Sequence, residues 1–326
     1  MKFQNGFFYF VSKFLFLTLS LTALFFIFYI FKIESAFAAN HVEYITEFAE
    51  PNESYKSPHS MRVAVIQANP GTASLNVTAE EAERLKSNNR DNIKRQIEGA
   101  ANQGAEWIIT SEMGVVGYPH IPGTPSEEEN FRTREEILPY AETIPGPTTE
   151  YFSALAKKLN IHLQVGFPEI DPVTQKLYNA AVLIKPDGNI AISHRKNSLF
   201  HVEGNYFSKG GTTPAIYDSP IGKVGILICA DVYDYTLLRY YQTNGVKVLN
   251  LSTSWAQMNT GMGYFQRAAQ NVGAYLLAAN QPYFPDSGVI NPNGENQSHI
   301  RQTSGTAFGF IPYINKSYPA CSKLFN

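Results

Sequence analysis

The chain has 326 residues and a formal net charge of −2, from 26 basic and 28 acidic residues. Because 44% of its residues are hydrophobic and only 17% are charged, it can bury a large core, which excludes a wholly disordered or fibrous protein. Since no basic surplus is available to neutralise a phosphate backbone, nucleic acid is not expected as a partner.

The N-terminal segment predicts a membrane-seeking leader. Residues 14–31 are apolar and carry no charge, and small residues follow them at Ala36, Ala38 and Ala39. This pattern predicts a signal peptide over residues 1–38, with cleavage after Ala38 and an extracytoplasmic product. Because the apolar run is longer than a usual signal core, an uncleaved anchor over 14–31 is the alternative, and it is then the only expected membrane contact. Residues 39–60 are polar and predict a linker or arm.

From Met61 to the C-terminus, short apolar runs alternate with helical periods, which predicts one α/β domain over residues 61–326. A capping box at 78–81 predicts the start of a helix that Gly104 ends. The turn at 186–189 joins two apolar runs into a hairpin, so the sheets are expected to be mixed. The other predicted strands cover 62–68, 107–110, 161–166, 223–228, 246–251 and 274–279, and the other predicted helices surround 152–159, 234–243 and 265–272.

Three reactive residues stand directly after apolar strands: Glu112, Lys196 and Cys229. Strand ends present side chains into a crevice, so residues from separate strands can converge on one pocket. A carboxylate beside a thiol can take its proton, and an ammonium group can stabilise an oxyanion. Taken alone, Cys229 is better explained by a buried and inert thiol, and Glu112 and Lys196 alter that balance. Asp231 is predicted to cap the helix after this cysteine.

The segments around these residues resemble the glutamate, lysine and cysteine motifs of the nitrilase superfamily of carbon–nitrogen hydrolases. Order and spacing agree, from the first strand through to Ser254 and Trp255. The resemblance covers roughly 61–310. Its motifs are Ser-Glu112-Met-Gly-Val-Val-Gly-Tyr118, His-Arg-Lys196-Asn-Ser-Leu-Phe200 and Gly-Ile-Leu-Ile-Cys229-Ala-Asp231.

The resemblance implies an αββα sandwich of two mixed β-sheets with helices outside. It also implies a thiol mechanism without a metal or organic cofactor, in which Glu112 takes the proton of Cys229 and a thioester forms with a small amide substrate. Lys196 and the backbone N–H of Ala230 hold the oxyanion, and Glu203 orients the lysine. A solvated loop position is the alternative for Glu203. Many members of the superfamily form homodimers, so the resemblance leaves a homodimer or a monomer open.

Within the superfamily, the segments 196–207, 254–255 and 285–293 look most like the biotinidase and vanin (pantetheinase) branch. The expected function is therefore an exported thiol amidase acting on a linear amide, with pantetheine-like and biotinyl amides as the narrower candidates. The alternatives are a nitrilase, whose cysteine is usually followed by Trp-Glu, an N-acyltransferase with the same three residues, and a binding module. Trp255 and Tyr118 are predicted to line the pocket, although Trp255 fits a core position equally well.

Overall fold

The computed structural model describes residues 47–68, 70–119, 130–211, 213–255, 261–281, 286–301 and 304–314. The predicted leader, with its apolar run over 14–31, lies outside these ranges, as does Cys321. Across the described ranges, no helix is both long and apolar enough to cross a bilayer.

One sheet contains seven strands among the described residues, in the order β1-β13-β2-β3-β4-β5-β6. Strands β2, β3 and β4 pair in parallel, whereas β4, β5 and β6 pair antiparallel, so this sheet is mixed as predicted. Its strands are β1 (Glu47–Ala49), β2 (Ser60–Gln67), β3 (Trp107–Thr110), β4 (His162–Ile170), β5 (Leu177–Ile184), β6 (Ile190–Arg195) and β13 (Gly305–Pro312).

The other sheet contains six described strands in the order β12-β11-β10-β9-β8-β7. The central strands β8, β9 and β10 pair in parallel, and the outer strands pair antiparallel. Its strands are β7 (Tyr217–Ser219), β8 (Gly222–Ile228), β9 (Val248–Ser252), β10 (Tyr275–Ala279), β11 (Ser287–Ile290) and β12 (Asn296–Ile300).

The longest described helix begins at the predicted capping box. The Thr78 hydroxyl accepts the Glu81 N–H at 3.2 Å, and the Glu81 carboxylate accepts the Thr78 N–H at 2.8 Å. The helix ends before Gly104, whose φ of 88° suits glycine. The described α-helices are α1 (Ala79–Asn102), α2 (Arg134–Ile137), α3 (Pro147–Leu159), α4 (Tyr235–Thr243) and α5 (Gly261–Val272), and the 3₁₀ helices are Glu53–Tyr55, Leu138–Tyr140, His201–Asn205 and Cys229–Tyr233.

The two sheets pack face to face, because alternate side chains of both point into one shared apolar core, with Val65 and Leu183 from one sheet and Ile226 and Leu277 from the other. Helices α1 and α3 cover the outer face of the seven-stranded sheet. Helices α4 and α5 cover the outer face of the six-stranded sheet. This is the αββα sandwich that the resemblance implied, and each fully buried leucine or isoleucine contributes about 1.5–3 kcal/mol to it.

The segment predicted as a linker or arm is structured where it is described. Residues 47–49 form an edge strand that pairs in parallel with β13, and Ser60 already belongs to β2. The polar residues and prolines of 39–60 are not typical of a strand. An edge strand tolerates them because only one of its two sides is paired, so the composition did not predict it. Strands β7, β11, β12 and β13 were also not predicted.

Candidate active site

The fold brings the three reactive residues to strand ends that meet. Glu112 follows β3 and Lys196 follows β6. These strands run in the same direction, since β3 is parallel to β4 and two antiparallel pairings connect β4 to β6. Cys229 follows β8 of the opposite sheet. The predicted convergence from separate strands therefore has contributions from both layers of the sandwich.

Glu112 is 1% exposed, and both of its carboxylate oxygens have donors. Oε1 accepts from Lys196 Nζ at 2.8 Å and from Asn179 Nδ2 at 2.7 Å. Oε2 accepts the backbone N–H of Ser254 at 2.8 Å, at the end of β9. The carboxylate is thus fixed in one orientation by groups from three different elements.

Lys196 links Glu112 to a second buried carboxylate. Its Nζ lies 2.8 Å from Glu203 Oε2, and Glu203 is 2% exposed. The Glu203 carboxylate also accepts the Phe200 N–H at 2.7 Å and the Asn179 Nδ2 at 3.2 Å. The structure therefore places Glu203 where the resemblance expected it, against the lysine, and not at a solvated loop position.

Burial and the mutual charges together raise the pKa of both Glu112 and Lys196, for different reasons. Burial raises the pKa of Glu112, and the Glu203 charge adds to this effect while Lys196 opposes it. Burial alone would lower the pKa of Lys196, but the Glu112 and Glu203 carboxylates overcome it and hold that pKa well above its usual range. The lysine therefore stays a cation, whereas the raised pKa of Glu112 makes that carboxylate the better proton acceptor of this pair.

Cys229 stands at the start of the 3₁₀ turn after β8, with a φ of 45° that is uncommon for a residue other than glycine. Its side chain is partly exposed. Burial of the sulfur and then the Glu112 charge raise the pKa of the thiol to about 12, against the opposing charge of Lys196. At neutral pH the thiol is protonated, so nucleophilic attack requires a base.

The supporting residues predicted from the sequence occupy different environments. Ala230 is buried in the first turn of the 3₁₀ helix, where N–H groups lack partners within the helix. Tyr118 packs, partly buried, against the apolar cluster that contains Met113 and Tyr206. Burial, and then the Glu112 and Glu203 charges, raise its pKa well above its usual range. Trp255 is 5% exposed and packs on Tyr233, Tyr264 and Phe265.

The buried amides around Glu112 belong to no motif of the sequence and were not predicted. Asn179 bonds both carboxylates, and Gln281 Nε2 donates to the Glu112 backbone carbonyl at 2.6 Å. Both side chains are about 1% exposed. Asn179 lies inside the apolar strand β5. A polar residue in such a run is the signal that could have identified it, because buried polar groups require partners.

Asp231 lies inside the 3₁₀ turn, where its carboxylate accepts the N–H of Ile228, the residue before that turn, at 3.0 Å. The prediction that Asp231 caps the helix after the cysteine is wrong for α4. Helix α4, which follows, is capped by Asp234 through the Leu237 N–H at 3.0 Å. The roles therefore divide between two aspartates three residues apart.

Comparisons with known proteins agree with this fold and this arrangement. The carbon–nitrogen hydrolase family matches residues 62–308. Nitrilase 3 of Arabidopsis thaliana is 32% identical over 274 residues, which cover 79% of this chain and 74% of that protein. The omega-amidase NIT2 of Danio rerio is 30% identical over 234 residues, which cover 65% of this chain and 78% of that protein.

Among solved structures, an amidase from Nesterenkonia sp. has a TM-score of 0.62 at 21% identity, covering 79% of this chain and 92% of that one, which shows a shared fold. The chain spans about half to three quarters of the length of the curated relatives that it matches. The match over most of the chain establishes that the protein belongs to the carbon–nitrogen hydrolase family, within the nitrilase superfamily.

Proposed function

We propose that the protein is a thiol amidase that hydrolyses a linear amide through a thioester on Cys229. The observation that carries this proposal is the buried cluster in which Lys196 lies 2.8 Å from both Glu112 and Glu203, beside a thiol at a strand end. Such a cluster combines a base, a fixed cation and a nucleophile.

In the first half-reaction, Glu112 accepts the thiol proton while the sulfur forms a bond to the amide carbonyl carbon. The carbonyl oxygen becomes an oxyanion, which the Lys196 ammonium and the Ala230 N–H stabilise. Glu112 returns the proton to the amide nitrogen, the carbon–nitrogen bond breaks, and the amine departs. A thioester on Cys229 remains. In the second half-reaction, Glu112 accepts a proton from water and the hydroxyl attacks the thioester carbon. The carbon–sulfur bond then breaks, the carboxylic acid leaves, and the proton returns from Glu112 to the sulfur.

One sequence feature favours an amide over a nitrile. The cysteine is followed by Ala230 and Asp231, whereas the nitrilase motif usually continues with Trp-Glu. The relatives include an omega-amidase as well as a nitrilase, so both chemistries occur among similar proteins. The narrower proposal of a pantetheine-like or biotinyl amide rests on the resemblance of 196–207, 254–255 and 285–293 to the biotinidase and vanin branch.

The experiment incubates purified protein with pantetheine, biotinyl amides, short aliphatic amides, ω-amides of dicarboxylic acids and nitriles, and detects products by mass spectrometry. Cys229→Ala and Cys229→Ser are the matched variants. Cysteine-dependent hydrolysis of amides with an acyl adduct on Cys229 supports the proposal, and turnover of nitriles alone contradicts it. Product formed only when an amine acceptor is added identifies an acyltransferase.

We also propose that the chain is exported, with residues 1–38 removed, on the strength of the apolar run and the small residues before Ala39. Intact-mass analysis of the full-length chain after expression with a secretion system tests this directly. A mature N-terminus at Ala39 is expected, and retention of the whole leader in the membrane fraction indicates the anchor instead. Light scattering of the same preparation tests whether the protein is a homodimer or a monomer.

A further inference from the structure

Asp231 is a fully buried carboxylate with four donors, at 0% exposure. Its Oδ1 accepts the backbone N–H groups of Asn197 at 3.0 Å and Ser198 at 2.8 Å. Its Oδ2 accepts the Ile228 N–H at 3.0 Å and lies 2.8 Å from His194 Nε2. A helix cap needs only one of these contacts, so the other three require a different explanation.

The donors belong to two separate parts of the site. His194, Asn197 and Ser198 surround the reactive lysine at the end of β6, and we call residues 196–198 the lysine loop. Ile228 immediately precedes Cys229 at the end of β8, and we call residues 228–231 the nucleophile turn. Because β6 and β8 lie in opposite sheets, Asp231 is a direct link between the two layers at the site.

The nucleophile turn contains an unfavourable backbone conformation. Cys229 has a φ of 45°, in the left-handed region that β-carbons disfavour. Such a conformation persists only where the surrounding structure holds it. The bond from the Ile228 N–H to Asp231 closes the turn around Cys229, and the bonds to Asn197 and Ser198 fix that closed turn to the lysine loop.

We propose that Asp231 is a positioning residue that holds the Cys229 sulfur and the Lys196 ammonium in register on one substrate carbonyl. This inference rests on the proposed function, since it takes both groups to act on the same carbonyl. Displacement of a reacting group by about 1 Å can lower the rate about 100-fold. Asp231 acts through the backbone of its neighbours, without contact to the substrate.

The test uses Asp231→Asn, which keeps the side-chain shape. An amide presents one acceptor oxygen and one NH₂ group, so it can satisfy the lysine loop or the nucleophile turn but not both. The expected result is a kcat about 100-fold lower with KM changed less than threefold, which is the rate loss of a reacting group misplaced by about 1 Å. The matched control is Asp234→Asn, because Asp234 bonds the side chains of Asn197 and Ser198 and is expected to leave kcat within about threefold of wild type.

A second readout does not depend on amide hydrolysis. Burial and the Glu112 charge raise the pKa of Cys229, so a loosened turn should lower that pKa and speed its alkylation by iodoacetamide near pH 8. Peptide mapping by mass spectrometry separates Cys229 from Cys321. Near-UV circular dichroism verifies that each variant is folded at the assay temperature.

His194→Gln is the second variant, in case Asp231→Asn does not fold, because it alters one of the four contacts. It is expected to change kcat and alkylation in the same directions by about tenfold, a fraction of the full effect. The proposal is overturned if the folded variants keep the wild-type kcat and alkylation profile, or if Asp234→Asn changes both as much as Asp231→Asn. If wild type hydrolyses no amide, the proposed function fails, while the alkylation profiles still decide whether Asp231 positions the thiol.

Discussion

Replacement of Lys196 by methionine tests whether the buried cluster depends on one cation. The side chain is 2% exposed and its Nζ lies 2.8 Å from one carboxylate oxygen of Glu112 and of Glu203. Methionine keeps the length and apolar stem of lysine, so the change removes the charge with little loss of packing. Two carboxylates then remain buried without a counter-charge.

The size of the effect follows from these distances. At an effective dielectric constant of about 20, two unit charges 2.8 Å apart attract by about 6 kcal/mol, and most of this is offset by desolvation of the charges. Removal of one partner from a buried pair costs about 3–5 kcal/mol. Because Lys196 has two partners, we expect the upper part of that range, which corresponds to a decrease in Tm of roughly 10–15 °C.

The loss of stability should depend on pH in a direction that the pKa shift fixes. Burial already raises the pKa of Glu112 above 4.5, and loss of the Lys196 charge raises it further. A carboxyl whose pKa is higher in the folded state stabilises the fold below its unfolded pKa, and this stabilisation is lost as pH rises through the folded value. The variant should therefore be closest to wild type near pH 5 and furthest from it near pH 8.

Thermal and urea unfolding between pH 5 and pH 8 measure this difference. Lys158→Met is the matched control, because the Lys158 side chain is 68% exposed and pairs with Glu98 at 3.1 Å, where such pairs contribute about 0–1 kcal/mol. Lys196→Met combined with Glu203→Gln removes one of the stranded charges and should recover part of the stability. A Lys196→Met difference that is the same at pH 5 and pH 8, or no larger than that of the control, would refute the reasoning.

Three further substitutions test separately the base at Glu112, the orientation of that base by Asn179, and the packing of Trp255 in the core. Glu112→Gln should lower kcat about 10²–10⁴-fold by removing the base, yet shift the alkylation profile of Cys229 to lower pH, because the Glu112 charge raises that thiol's pKa. Asn179→Leu should move the acid limb of the kcat/KM profile to higher pH, since Asn179 lowers the pKa of Glu112, and cost about 1–3 kcal/mol in urea unfolding. Trp255→Ala should cost about 3–5 kcal/mol and Trp255→Phe clearly less, because the indole packs in the core; equal stability of all three proteins contradicts this placement.

The elements that sequence analysis predicted are those whose signal is local. The capping box of α1 lies within four residues, and its two hydrogen bonds form as expected. The hairpin of β5 and β6 needs only a short turn between two apolar runs, and its register is antiparallel as predicted. The strand-end positions of Glu112, Lys196 and Cys229 could also be predicted, because Glu112 and Cys229 follow runs of buried residues and Lys196 follows the second strand of the hairpin.

The remaining features depend on partners far apart in the sequence. Ser254 and Gln281 donate to Glu112 across 142 and 169 residues, and neither has a local pattern that indicates a partner. The strand at 47–49 is defined by pairing with β13 at the other end of the chain, so its own composition predicts a linker. From the sequence, Asp231 is predicted only as a helix cap. Its contacts to the lysine loop form because the two sheets pack together, which no local pattern predicts.

The charge balance of the cluster explains why two glutamates accompany one lysine. With Glu112 and Glu203 ionised, a thiolate on Cys229 would add another buried negative charge, which is consistent with a thiol pKa of about 12. In the proposed mechanism, transfer of the thiol proton to Glu112 keeps the total charge constant while the negative charge moves onto the sulfur and then the carbonyl oxygen. During this step Lys196 loses its ionic attraction to Glu112, and only Glu203 still holds the ammonium in place. We therefore expect Glu203 to matter most while Glu112 is protonated, so that its removal lowers kcat more than it weakens substrate binding.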